Sequence, residues 1–429
     1  MSTWGLGMLI SFKIKNFKSY RQEAEFSMKA ERINGLKYSL LNYKVGNKSK
    51  DADKKALCSS VIYGPNASGK SNIIKALYEL KEIISRGNIK LNNLELLPNV
   101  QSSQDETTDF EIEFYNNNLL FRYYLSLDIG GFINKHVSQK VKQETLFVNN
   151  KMTFERNDTE LKVNYNDAFL KSYINEGINS HILDILENGI ISTDLFLTNG
   201  FKNISTELAQ DVIEWFEKKV KILNDMHNLN MMPISNERFI NDKFTNEIAK
   251  ESGMTGHSLV YTREDDKGYV LRSLVNKYLI ASEDFESFGT QRIVKIMPII
   301  LTALKFGSVL LVDELDVALH PKVIMNIINL FHNDEINTQN AQLIFNTHNP
   351  IYLNSAIFRR DEIKFVEKDK DNNSIIYKLS DFGTTGKNSV RSSTNYIKNY
   401  FMDRYGAILN IDYSQIFKKA LKGDEGDDK

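Results

Sequence analysis

Cysteine is almost missing from this chain: 429 residues carry one, Cys58. No disulfide can form within it, and a single thiol in an apolar run suits a reducing cytoplasm. An excess of either charge is missing too. Lys and Arg number 54 against 55 Asp and Glu, a net charge of −1. That balance excludes a global field drawing the protein to nucleic acid or membrane, so any DNA contact would need a local patch. No stretch approaches the ~18 apolar residues of a membrane span. Met1 to Leu9 is too short and uncharged for a secretory signal. The seven histidines are scattered, no His/Cys cluster has zinc spacing, and no catalytic triad is indicated.

The most informative stretch is Gly64-Pro65-Asn66-Ala67-Ser68-Gly69-Lys70-Ser71, which fits the phosphate-loop pattern G-x-x-x-x-G-K-[ST] at every fixed position. Upstream, Ala56 to Tyr63 reads as a buried strand. Downstream, Ile73, Leu77, Leu80 and Ile84 recur at helical spacing. Strand, glycine loop and helix are what phosphate binding requires. Glycines let backbone N–H groups turn inward around oxygens, and the helix N-terminus adds a favourable dipole. Lys70 would reach the β- and γ-phosphates of ATP, and Ser71 would ligate Mg2+.

Around this motif the chain reads as α/β with insertions. Met8 to Asn16 alternates and is expected to be an edge strand. Lys37, Lys44, Lys48, Lys50, Lys54 and Lys55 mark a solvated loop rather than a polyanion contact. After the first helix, asparagine turns at 116–118 and at Asn149-Asn150 predict an antiparallel meander. Leu208, Val212, Trp215 and Phe216, continued by Val220 and Leu223, form a helical stripe. Residues 166–285 are therefore expected to form an inserted helical lobe. It divides an ATPase head into 8–165, with the phosphate loop and β meander, and 286–420, followed by an acidic tail at 421–429. In the second part, strands 308–312 and 342–346 and helix 322–332 restore the α/β rhythm.

Ser308 to Val312 is an unbroken apolar strand ending in Asp313-Glu314, the pattern of a buried parallel strand. Ligands of open α/β sheets sit at such carboxyl ends. Asp313 there would hold Mg2+, and Glu314 can orient and deprotonate the attacking water. Leu343 to Thr347 delivers His348 at a second strand end. Ser287-Phe288-Gly289-Thr290 opens the helix leading into the Asp313-Glu314 strand, offering a hydroxyl and free N–H groups to an anion.

The order and spacing of these elements resemble the ATP-binding-cassette-type heads of SMC, RecF and OLD proteins. Asn16-Phe17-Lys18-Ser19-Tyr20 looks like that group's early Asn-Phe-basic-Ser element. Asp313 to Pro321 and Arg404-Tyr405-Gly406-Ala407 look most like bacterial ATPases of the RloA and AbiL type, associated with phage defence and abortive infection. The resemblance implies a phosphate cradle of Gly64, Asn66, Ser68, Gly69, Lys70, Ser71 and Asn72, with Lys18 and Ser19 by the adenine and phosphates. Asp313 is then the Mg2+ carboxylate, Glu314 the catalytic base and His348 a γ-phosphate switch. Ser287, Gly289 and Thr290 would meet the γ-phosphate held by a second copy, with Asp316 at the dimer seam. Phe288 stands where transporter-type signatures carry glycine, and Asn349 where many relatives carry aspartate. The glutamine of the family's lobe-contacting loop has three candidates, Gln101, Gln139 and Gln143.

The resemblance further implies a homodimer or higher oligomer acting as a phage-defence switch on a separate effector, a nuclease of the TOPRIM type for instance. A DNA-binding repair head of the RecF kind is the alternative, so nucleic acid stays among the possible partners; a membrane does not. An OLD-type nuclease would need a D-x-D metal pair. Asp369-Lys370-Asp371 supplies the letters, but Asp371-Asn372-Asn373 reads as the turn of a surface hairpin.

Overall fold

The computed structural model describes residues 7–33, 35–45, 54–90, 95–132, 139–223, 242–264, 268–384, 389–391, 393–409 and 411–422. Lys48, Lys50 and the acidic tail from Gly423 lie outside them. Strands and helices are labelled in chain order; β3 (Leu40–Tyr43) and β4 (Lys54–Leu57) pair antiparallel by themselves, so Lys54 and Lys55 begin a strand rather than lie in the expected loop. β1 (Gly7–Lys15) and β2 (Ala24–Ser27) join β6 (Thr108–Asn116), β7 (Leu119–Asp128), β8 (Lys140–Val148), β9 (Lys151–Asn157) and β10 (Leu161–Val163) in an antiparallel seven-stranded sheet. The meander follows from its turns. Asn117 and Asn118 have φ of 48° and 65°, Asn149 and Asn150 of 49° and 65°, the left-handed pair that a two-residue hairpin needs and asparagine tolerates. β1 lies between β2 and β6, so the expected edge strand is an interior one. Its run from Gly7 to Phe12 is wholly buried, which the alternation did not convey.

The second sheet runs β11 (Val220–Leu223), β15 (Val309–Val312), β16 (Gln342–Asn346), β5 (Ser59–Tyr63), β17 (Ile363–Lys368) and β18 (Ser374–Lys378). All neighbours are parallel except β17 with β18, which form the expected hairpin around Asp371 to Asn373. Ile62, Leu311 and Ile344 point into one core with α1 (Lys70–Arg86) and the seven-stranded sheet. Their neighbours Val61, Leu310 and Phe345 point into another, with α7 (Phe288–Phe306) and α8 (Pro321–His332). A sheet buried on both faces explains the unbroken apolar runs. The two sheets are joined by Gln342, fully buried, whose amide accepts from Leu9 N at 2.6 Å and donates to the carbonyls of Leu9 and Leu57 at 3.1 and 2.8 Å.

The segment expected to be a helical lobe is more varied. It holds α2 (Ser180–Gly189), α3 (Lys202–Ile204), α4 (Thr206–Glu214) and α5 (Asp242–Glu251). It also supplies β11 to the central sheet, where Val220 pairs with Val309. The stripe ends in a π-helical turn, Trp215–Lys219, which breaks the 3.6-residue period before the chain extends. Trp215 stacks on Phe114 with ring centroids 4.2 Å apart, so these residues belong to the main core. Beyond α5, β12 (Ser258–Glu264), β13 (Gly268–Val275) and β14 (Tyr278–Ala281) make an antiparallel three-stranded sheet leading through α6 (Ser282–Phe285) into α7. Leu259 and Leu271 of that sheet, Ala249 of α5 and Val294 of α7 form a small separate core.

Candidate nucleotide site

The loop from β5 to α1 is shaped by two glycines. Gly64 has φ of 156°, and a Cβ there would lie 2.2 Å from the Val366 carbonyl oxygen. Gly69 has φ of 110°, and its Cβ would lie 2.3 Å from Ser374 Oγ and 2.6 Å from Ser19 Oγ. The chain turns tightly enough that side chains at either point would be expelled. Lys70 bends back over the loop, its Nζ donating to the carbonyls of Gly64 and Pro65 at 2.8 and 2.9 Å. Burial brings its pKa down to about 8, against the opposing charges of Asp313 and Glu314. Ser68 Oγ is buried within this turn with no hydrogen-bond partner. A buried hydroxyl left unpaired in such a loop fits an anion acceptor such as phosphate.

Across the sheet, Ser71 Oγ donates to Asp313 Oδ1 at 2.9 Å, bridging 242 residues of sequence. This pair is the oxygen donor set that suits Mg2+. Asn346, at the end of β16, donates from its amide to Asp313 Oδ1 and accepts from Glu314 N. It thereby fixes both members of the carboxylate pair. Sequence reasoning passed over it, because a polar residue between Phe345 and His348 carries no pattern of its own. Thr347 was missed for the same reason. Its hydroxyl donates to Asp316 Oδ2 at 2.7 Å and accepts from Asn349 N at 2.9 Å. Asn349 thus bonds Thr347 through its backbone N–H, while its side-chain oxygen accepts from Ile351 N at 3.1 Å.

Glu314 has φ of 52°, and Ala318 of 59°. A left-handed backbone at Glu314 turns the exposed carboxylate away from the strand direction. Arg292, buried on α7, donates to the Glu314 carbonyl and supports that turn from behind. His348 is exposed at its strand end. Partial burial, then the charge of Lys70, holds its pKa below the ordinary 6.5, so the ring is neutral at neutral pH.

Lys18 and Ser19 come to the other side of the loop. Ser19 Oγ accepts from Asn72 Nδ2 at 2.8 Å and from Ser374 Oγ at 2.7 Å, while Ser374 Oγ also reaches the Ser68 carbonyl. The β17–β18 hairpin therefore braces the phosphate loop. Lys18 has φ of 48° and pairs with Glu95 at 2.9 Å. Of the glutamines, Gln101 donates to the Asp371 carbonyl at 2.6 Å and Gln143 to Glu155 Oε1 at 2.9 Å.

Ser287 caps α7, accepting from Thr290 N at 3.1 Å with its hydroxyl 2.9 Å from Thr290 Oγ1. Ser287 and Phe288 are exposed. Gly289 packs on the turn after β15, where a Cβ would meet the Ala318 carbonyl at 2.8 Å.

At the opposite end of the central strands, Cys58, His332 and Glu362 gather their ligand-type atoms within 4.8 Å. Ser59 Oγ already joins His332 Nε2 and Glu362 Oε1 at 2.8 Å each, and burial first, then Glu362, keeps the thiol protonated. These groups satisfy one another as a buried polar knot.

The family model that matches this chain is described as an AAA domain, putative AbiEii toxin, Type IV TA system, and it covers residues 59–354. That span runs from the start of β5 past His348. Among solved structures, the chain is similar to an SMC head domain from Thermotoga maritima, at 14% identity and a TM-score of 0.39, over 86% of this chain and 98% of that one. No curated protein matches.

Proposed function

The chain belongs to this AAA-domain family, and from that premise we propose that it is an ATPase head whose two copies clasp ATP between them. In this reading it is a cytoplasmic switch in a bacterial anti-phage, abortive-infection system that controls a separate effector, a nuclease. The observation that carries the ATPase part is the Ser71–Asp313 contact beneath the phosphate loop. Two distant segments supply the metal-binding oxygens at the spot where Lys70 waits. The family's description, putative AbiEii toxin of a Type IV TA system, supports the defence part.

Gly64, Asn66, Ser68, Gly69 and Asn72 would cradle the phosphates, with Lys70 leaving the loop carbonyls for phosphate oxygens. Mg2+, held by Ser71 and Asp313, would supply charge neutralisation at the β- and γ-oxygens. Glu314 orients water and takes its proton, the neutral His348 offers a donor to the γ-phosphate, and Lys18 and Ser19 border the base side. Ser287, Gly289 and Thr290 complete the twin's site and Asp316 lies at the seam. Neither copy is complete alone, and loss of the γ-phosphate releases the pair. Turnover is slow, as suits a timer.

Size-exclusion chromatography of Glu314→Gln with ATP and Mg2+ tests the clasp. A nucleotide-dependent dimer is the expected result, and a variant that stays monomeric sinks the reading. The effector is tested by retention of the product of an adjacent nuclease gene on the tagged, ATP-trapped chain, with release in ADP.

A further inference from the structure

The residue before the signature serine is anchored in a way that neither a helix cap nor a phosphate site requires. Glu286 is extended backbone at the junction of α6 and α7, and its side chain is 5% exposed. Its Oε1 meets His257 Nε2 at 2.5 Å and accepts from Ser273 Oγ at 2.6 Å. His257 stands at the head of β12, and Ser273 is buried on β13. The other ring nitrogen of His257 faces the Thr255 carbonyl at 3.3 Å, and the Phe285 ring packs edge-on against the imidazole at 5.0 Å. The Glu286 carbonyl accepts from Gln291 at 3.1 Å. Two points of the small sheet thus hold one carboxylate, His257 at the head of β12 and Ser273 on β13, and the next residue is Ser287.

We infer that His257 and Glu286 are positioning residues, which fix Ser287 through the three-stranded sheet so that it can meet a phosphate bound by a second copy. This rests on the two-copy reading above. The physical argument is one of rigidity. Ser287 is exposed and Thr290 half-buried, and their hydroxyls bond each other within one helix turn, so their aim is set by what holds the segment on either side. On the C-terminal side, Gly289 rests on the Ala318 carbonyl and Arg292 reaches the Glu314 carbonyl. On the N-terminal side, the Glu286 carboxylate ties the segment to the small sheet through His257 and Ser273. A site that tolerates displacement of about half an ångström needs both. The small sheet becomes the handle by which a motion of residues 258–281 would reach the reaction.

The test uses full-length protein and subunit mixing. His257→Ala and Glu286→Ala should each lower kcat at least tenfold while the Kd of a fluorescent ATP analogue stays within about twofold, since the cradle of the same chain is untouched. Glu286→Gln, which keeps the shape and an acceptor, should retain most of the activity. Equal mixing of His257→Ala with Lys70→Ala should restore roughly a quarter of wild-type turnover, because half the dimers then hold one intact site. Wild-type kcat in both alanine variants overturns the inference, as does a Kd that rises in proportion as kcat falls, or mixing that restores nothing. Failure of the two-copy reading looks different: wild-type turnover would then survive Ser287→Arg.

Discussion

The two halves of the nucleotide site are built on opposite plans. Lys70, Ser71 and Asp313 are buried or half-buried and bonded to partners within the chain. Ser287 and Phe288 face solvent at the start of α7, and the hydroxyl of Ser287 serves its own helix turn. One half is finished and inward. The other is unfinished and outward. Under the proposed two-copy reading, the difference separates binding from turnover: the cradle would hold a nucleotide alone, while Ser287 would add what the reaction needs.

Mutations should divide along that line. Lys70→Ala and Asp313→Ala strike the inward half and should abolish both nucleotide binding and hydrolysis, a loss of at least about 1,000-fold in turnover. Ser287→Arg strikes the outward half. Hydrolysis should fall by about 100-fold or more with nucleotide affinity unchanged, read by steady-state kinetics beside a fluorescence titration. Equal loss of affinity would erase the distinction. Asn346→Ala leaves every proposed ligand in place but unpins Asp313 and the Glu314 backbone, so an intermediate loss of about 10- to 100-fold is expected. The smallest effect is that of pH. Lys70 titrates at about 8 in the free protein, and bound phosphates would raise that value, so binding takes up a proton between the two. Affinity is then full below about pH 8 and weakens as pH rises through it, by at most about tenfold per unit. A Kd constant from pH 7 to 9 would show that Lys70 does not pair with the ligand.

The inward half was the more legible in sequence, and the reason is physical. The phosphate loop, the strand ending in Asp313-Glu314 and the strand ending in His348 are local patterns whose neighbours in sequence dictate their shape. Ser287 was legible for the same reason, since a capping serine announces its helix. What could not be read depended on contacts between distant segments. Val220 to Leu223 continued a helical stripe by composition and became a strand only because β15 offers it a ladder. Asn346 and Thr347 acquire their roles from Asp313 and Asp316, far off in the chain. The small sheet did leave a trace: Asn276 and Lys277, with φ of 47° and 75°, make its β13–β14 turn. The alternation of Leu259 with Tyr261 and of Leu271 with Ser273 was there to be found.

The main core should be the costlier to disturb. Trp215→Ala removes a fully buried ring stacked on Phe114 and should destabilise by about 3–5 kcal/mol. Leu279→Ala, on the outer strand of the small sheet and 55% exposed, should change the melting temperature hardly at all.

The backbone twist at Glu314 implies a trade between durability and work. An ordinary side chain forced into that conformation costs on the order of 1 kcal/mol, and glycine would relieve it. Glu314→Gly should therefore yield a protein harder to melt and incapable of turnover. In the proposed mechanism the molecule carries its base as a permanent tension, which a mutant free of that task would shed.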